Sequence, residues 1–193
     1  MVKLNKIYTR TGDDGTSGLV DGSRQHKHSA RFEAIGAVDE ANCAIGFAIR
    51  EMASQPKRLL RRIQNDLFDL GADLATPLGD VGGSDFEPSE MVLRIVPAQV
   101  TRLEEAIDDC NAALEPLTSF ILPGGSDPSA RLHMARASVR RAERAMAALA
   151  DTDPVNPAAL AYINRLSDYL FVLARHCNEI GADDIAWTPG GNR

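Results

Sequence analysis

Apolar residues return at alternating spacings of three and four along five separate stretches of the chain, and this period restricts the fold more than any other feature. From Ser29 to Met52 the residues Ile35, Val38, Ile45, Ile49 and Met52 fall on one helical face, and Leu60, Ile63, Leu67, Leu70 and Leu74 form a second. A third helix is predicted from about Pro88 to Leu114, with Val96, Val100, Leu103, Ile107, Cys110 and Leu114 as a coiled-coil-like seam. Leu132, Ala135, Val139, Ala142, Met146 and Leu149 repeat the rhythm between Pro128 and Leu149, and Ile163, Leu166, Leu170, Leu173 and Cys177 repeat it again. Five helices of one period predict an all-α, five-helix, ferritin-like bundle over residues 29–182. Breaks are expected at Pro56, in the Gly- and Asp-rich run from Pro77 to Pro88, from Pro116 to Pro128, and from Asp151 to Pro157. Residues 1–28 are too polar and Gly-rich for a helix and read as an arm, and residues 183–193 read as a tail.

At 193 residues the chain reads as one domain, able to bury roughly 70% of its unfolded surface without disulfides or a structural metal. Cys43, Cys110 and Cys177 show no CxxC pair and are expected as small core residues. No apolar run is long enough to span a bilayer and the N-terminus has no signal-peptide core, so a cytoplasmic protein without membrane partners is expected. A net charge of −6 also disfavours nucleic acid, so any polyanion must be met by a local cluster of cations.

Two such clusters stand out. The arm carries Thr9, Arg10, Thr11, Gly12, Ser17, Gly18, Arg24 and Lys27. Glycines at this density let backbone N–H groups converge on an anion, with hydroxyls and cations adding donors. It has no GxxxxGK[ST] motif, and a flexible polar arm has the same composition. On the fourth helix Arg131, Arg136, Arg140, Arg141 and Arg144 surround one acid, Glu143. A solvated basic face is the bland reading; the use of arginine throughout favours planar, bidentate contacts to phosphate or carboxylate.

The fifth helix presents Asn164, Asp168, Phe171 and Arg175 as a mixed stripe of the kind that often only packs. On the first helix Asp39, Glu40 and Asn42 sit among apolar residues, placed to pair with an arginine of helix four within the subunit or across an interface. No His follows a Glu by three, as di-iron bundles require, and the four histidines support no nucleophilic triad. The residues therefore describe a bundle with a polyphosphate site and no side-chain nucleophile.

At these positions the sequence resembles the PduO-type ATP:corrinoid adenosyltransferases. The resemblance runs through Lys6 to Gly15, Ala37 to Asn42, Gln64 to Gly71, Phe120 to Gly125, Arg136 to Arg144 and Asn164 to Phe171. It implies a homotrimer with ATP and corrinoid bound where two subunits meet, and a substrate that brings its own nucleophile: cobalt(I) attacks the 5′ carbon of ATP and expels triphosphate. It places ATP contacts on Thr9, Arg10, Thr11, Gly12, Ser17, Gly18, Lys27, Arg140, Arg141, Glu143, Arg144 and Asn164, with Mg²⁺ on the phosphates. It pairs Arg136 with Asp39 across the interface, sets Phe120 against the lower face of the corrin ring to displace the axial ligand, and gives Phe171 to the corrin pocket wall. A reductase and an adenosylcobalamin-dependent enzyme are implied as partners.

Lys27-His28-Ser29-Ala30-Arg31 and Ile35 depart from the family's usual residues at the arm's entry into helix one. His28 is a candidate for pH dependence there. The Gly79 to Ser84 insert reads as a mobile surface loop, and the tail around Trp187 as a segment that orders over bound corrinoid. Two other functions fit the same residues: a nucleotide or corrinoid carrier without turnover, and a structural bundle whose arginines form ion-pair networks.

Overall fold

The computed structural model describes residues 7–191 and 193, so Lys6 of the first resembling block lies outside it. Five helices form, α1 Ala30–Ala48, α2 Ser54–Leu74, α3 Pro97–Asn111, α4 Asp127–Ala150 and α5 Pro157–His176. They build the expected bundle. Consecutive helices run antiparallel: Asn42 meets Gln64 between α1 and α2, and Glu143 meets Asn164 between α4 and α5. One hydrophobic cluster draws on all five, with Tyr162, Ile45, Leu60, Leu67, Leu103, Leu132 and Met146 fully enclosed.

The third helix starts nine residues later than its apolar rhythm predicts, at Pro97. A proline at the first helical position disfavours helix in the residue before it, and Val96 is extended at φ −115°, ψ 155°. Upstream, side chains satisfy the backbone in place of a helical ladder. The Asp73 carboxylate accepts from the Ile95 N–H at 2.9 Å and from Arg94 at 2.8 Å, and Asn156 donates to the Ile95 carbonyl at 2.9 Å. Pro56 does not separate α1 from α2 either; it lies in the first turn of α2, where its missing N–H costs no helical bond.

The insert expected to be mobile is a pinned turn. Gly79 and Gly83 exchange two backbone hydrogen bonds, and the buried Arg94 donates to the Gly82 carbonyl at 2.9 Å. The arm also has a fold of its own, a hairpin of β1 Thr16–Gly18 and β2 Arg24–His26 in register Ser17 to Gln25. Asp14 accepts from the N–H and hydroxyl of Thr16, and Asp21 does the same for Ser23, which shapes the flanking turns and lowers both carboxyl pKa values. Val20 N–H donates to the carbonyl of Ala75 at 3.0 Å and tethers the hairpin to the end of α2. Arg31, buried, donates to Leu74 O at 2.6 Å and anchors the entry to α1 on the same end. Of the cysteines, Cys43 is exposed and Cys110 and Cys177 are half-buried, so the core expectation fails for Cys43, which sits one position off the inward-facing Asn42.

Candidate functional site

Four groups of the sequence-predicted residues are assembled locally. In the arm, the hydroxyls of Thr9 and Thr11 lie 2.9 Å apart, and Lys27 curls back so that its Nζ donates to the Gly12 carbonyl at 2.7 Å. A Cβ at Gly12 would lie 3.1 Å from both that Nζ and the Thr16 carbonyl, so a larger residue there would make its neighbours shift. Arg10 takes a left-handed φ of 64° with its guanidinium 5.5 Å from the Tyr8 ring centroid. Arg24 bonds the Thr16 hydroxyl and the Thr11 carbonyl, fastening the loop to the hairpin that holds Ser17 and Gly18.

The second group lies on α4 and α5. Glu143 accepts from Asn164 Nδ2 at 2.5 Å and faces Arg140 at 3.7 Å, so one carboxylate holds a cation and an amide side by side on two helices. Arg136 lies one turn away with its guanidinium 5.8 Å from the Phe171 ring centroid. Its Nε is buried without a hydrogen-bond partner, and no carboxylate of the described residues comes within ion-pair distance. Burial and the neighbouring Arg140 both lower its pKa. Arg144 is exposed, whereas Arg141 turns the other way and pairs with Glu33 at 3.0 Å and with Glu40. Of the α1 acids, Glu40 thus finds its α4 arginine within the chain.

Asp39 is the third element. It is exposed on a groove between α1 and α2 lined by Ile35, Gly36, Phe68, Gly71 and Ala72, with the Phe68 ring largely in solvent. The fourth is Phe120, 79% exposed, touched on its edge by Trp187 at a centroid distance of 6.3 Å. Among the described residues no hydrogen bond, ion pair or ring contact joins these four groups to one another.

Sequence reasoning missed what holds Phe120. The tail does not hang free: residues 185–187 pair with 120–122, Leu122 N–H donating to Ile185 O at 2.8 Å and Trp187 N–H to Phe120 O at 2.7 Å. His133 was missed as well; it is buried against the edge of Phe171. The Gly124-Gly125 pair was the available signal for a close backbone approach near Phe120, and the apolar rhythm around His133 was the signal for its burial.

No three His, Cys, Asp or Glu side chains among the described residues gather as a metal site, and no helix is long and apolar enough to cross a membrane. The described residues thus offer hydroxyl, amide and cationic donors in the arm, an arginine face on α4 and an exposed aromatic ring. The family model described as cobalamin adenosyltransferase matches residues 7–177. A corrinoid adenosyltransferase of Mycobacterium tuberculosis H37Rv is 50% identical over 196 residues, spanning 100% of this chain and 97% of the relative. That of Bacillus subtilis is 42% identical, spanning 94% and 92%. Among solved structures, a variant PduO-type ATP:corrinoid adenosyltransferase from Lactobacillus reuteri, complexed with cobalamin and ATP, superposes with a TM-score of 0.84 at 35% identity over 94% of this chain and 99% of that one. With the family model matching residues 7–177 and a relative 50% identical along the whole chain, the chain belongs to the cobalamin adenosyltransferase family.

Proposed function

We propose that this protein transfers the 5′-deoxyadenosyl group of ATP to the cobalt(I) centre of a reduced corrinoid. The bond that forms joins cobalt to C5′, using the cobalt electron pair; the bond that breaks is C5′ to oxygen, and triphosphate leaves with that pair. A metal-centred nucleophile calls for no side-chain base, which agrees with a site built of cations, hydroxyls and amides. The observation that carries this reading is the Arg140–Glu143–Asn164 face beside Arg136 and Phe171, a preorganised set of donors that suits a leaving polyanion.

In this reading Thr9, Arg10, Thr11, Gly12, Ser17, Gly18 and Lys27 hold the phosphates from the arm, and Arg140, Arg144 and Asn164 hold them from the bundle, with Arg141 bracing α4 on α1. Mg²⁺ fits such a donor set, because it is bound through phosphate oxygens and at most one or two carboxylates, of which Glu143 is the one at this face. When bound, it neutralises charge that builds on the triphosphate.

The two halves meet between copies of the chain, in a homotrimer. Support comes from the unpartnered buried Nε of Arg136 and from the exposed Asp39 on its apolar groove, two ends of an ion pair that neither finds at home. Phe120 faces the corrin from below and Phe171 walls its pocket. The reductase that supplies cobalt(I) and an enzyme that takes the product complete the set of partners, in the cytoplasm.

Arg140→Ala tests the carrying observation. It is expected to lower turnover by about 100-fold or more while leaving the melting temperature nearly unchanged, because Arg140 is half-exposed and acts on charge that develops in the transition state. Unchanged turnover would remove the α4 face from the mechanism.

A further inference from the structure

The segment that carries Phe120 has almost no packing of its own, yet its two ends are tied to one buried cluster that the reaction as described leaves unused. Arg175, at the end of α5, donates from Nε to the Asp184 carboxylate at 2.7 Å and from Nη2 to the Glu115 carbonyl at 3.0 Å, where the segment begins. Asn178 donates from Nδ2 to the other Asp184 oxygen at 3.0 Å, and its side-chain Oδ1 accepts the Ser126 N–H at 3.1 Å, where the segment ends and α4 starts. The Arg175 and Asp184 side chains are each 7% exposed. Ser126 and Ser129 add bonds to the carbonyls of Cys177 and Gly124.

The backbone bends to make this fit. Gly125 sits at φ +95° with the Asn178 amide so close that a Cβ would lie 2.2 Å from its oxygen. Glu179 and Ile180 are both left-handed, at φ 49° and 54°, a conformation that a β-branched residue adopts only when its surroundings impose it. The turn they form aims residues 185–187 back along the Phe120 segment, where Ser119 and the backbone of Phe120 and Leu122 receive them.

We propose that Arg175, Asp184 and Asn178 are positioning residues for Phe120: together they clamp both ends of its segment and dock the tail strand along its middle, so that the ring is held at one height above the bundle. This rests on the reading of Phe120 as the residue that displaces the axial ligand. A ring that is to take the place of a ligand must be held against the push of that ligand, and a loop with so little packing of its own resists through the cluster at its ends and the strand docked along it.

The test compares adenosylcobalamin formation from cob(II)alamin, with reduced flavin as one-electron donor, and from cob(I)alamin reduced beforehand. Asp184→Asn is expected to lower the cob(II)-to-cob(I) rate ratio about tenfold, and to weaken the absorbance signature of four-coordinate cobalt(II) in the protein with ATP. In a Phe120→Ala background the same change should lower the ratio no further, since its effect passes through that ring. Equal losses from both cobalt states, or full additivity with Phe120→Ala, would overturn the proposal and leave the cluster a structural one. If Phe120→Ala itself leaves the ratio unchanged, the axial-ligand reading fails first, an outcome distinct from a selective Phe120→Ala beside an unselective Asp184→Asn. Should Asp184→Asn unfold, Asn178→Ala carries the test, because it removes the bonds to Asp184 and Ser126 and leaves the Arg175–Asp184 pair in place; it must show the same selectivity, and an equal loss from both states contradicts the clamp.

Discussion

Glu143 is the only acid among the five arginines between Arg131 and Arg144, and its carboxylate does two things at once. It orients the Asn164 amide, and it tempers the repulsion between Arg140 and Arg136. Glu143→Ala is expected to lower kcat/KM for ATP about tenfold, measured in steady state with cob(I)alamin; an unchanged value would show that Arg140 and Asn164 orient themselves. His133 gives a second residue-scale prediction. Burial first, then Arg136, lower its pKa below the usual histidine value, with Asp184 opposing. A histidine held neutral in the folded state is protonated more readily in the unfolded chain, so stability is lost as pH falls below about 6.5. His133→Gln should flatten that part of the stability–pH curve between pH 7 and pH 5, as read by denaturant titration. An equal slope in both proteins would take His133 out of the acid response. The arginine cluster was legible in the sequence because helical spacing alone sets Arg136, Arg140 and Glu143 on one face. Arg175 read as part of a polar stripe, since its burial depends on Asp184, which only a chain reversal brings near.

Helices announced themselves through their period and most breaks between them through proline and glycine, but the conformation of the connections was not legible. The run from 88 to 96 carries apolar Val92 and Ile95, both buried, which extend the rhythm of α3 backward although the backbone there is extended. What decides its conformation is Asp73, twenty-odd residues away, a carboxylate holding Arg94, Ile95 and Asn156 in the interior. Asp73→Ala would leave Arg94 buried and unpaired, and is expected to destabilise by about 3–5 kcal/mol in equilibrium unfolding. A loss under 1 kcal/mol would mean that the α2–α3 connection is held by other contacts. At the other end of the molecule, Gly125→Ala combines a left-handed φ with a collision against Asn178 and should cost about 2–4 kcal/mol. Sequence showed the paired glycines but not the partner that makes one of them irreplaceable. The hairpin in the arm escaped notice for a similar reason: strands of three residues have no measurable alternation, and the Asp14 and Asp21 turns set their pairing.

At the scale of the whole molecule, the arm is tethered to the α2 end of one chain while the arginine face lies on α4 and α5, and among the described residues no hydrogen bond or ion pair joins Thr9, Thr11, Gly12 or Lys27 to Arg140, Glu143 or Asn164. If each complete site takes its arm from one subunit and its arginine face from the next, two defective variants should rescue one another. Co-expressed Lys27→Ala and Arg140→Ala chains, each inactive alone, are expected to regain about a quarter of parental turnover, the share of interfaces in random mixing where both halves are intact. No recovery would place the site within one chain. The central claim, however, is the chemistry. Mixed anaerobically with cob(I)alamin, ATP and Mg²⁺, the purified protein is predicted to convert the cob(I)alamin spectrum to that of adenosylcobalamin and to release one triphosphate for each cobalt–carbon bond formed. A spectrum that stays that of cob(I)alamin while ATP is bound would contradict it, and would leave a protein that holds these ligands without joining them.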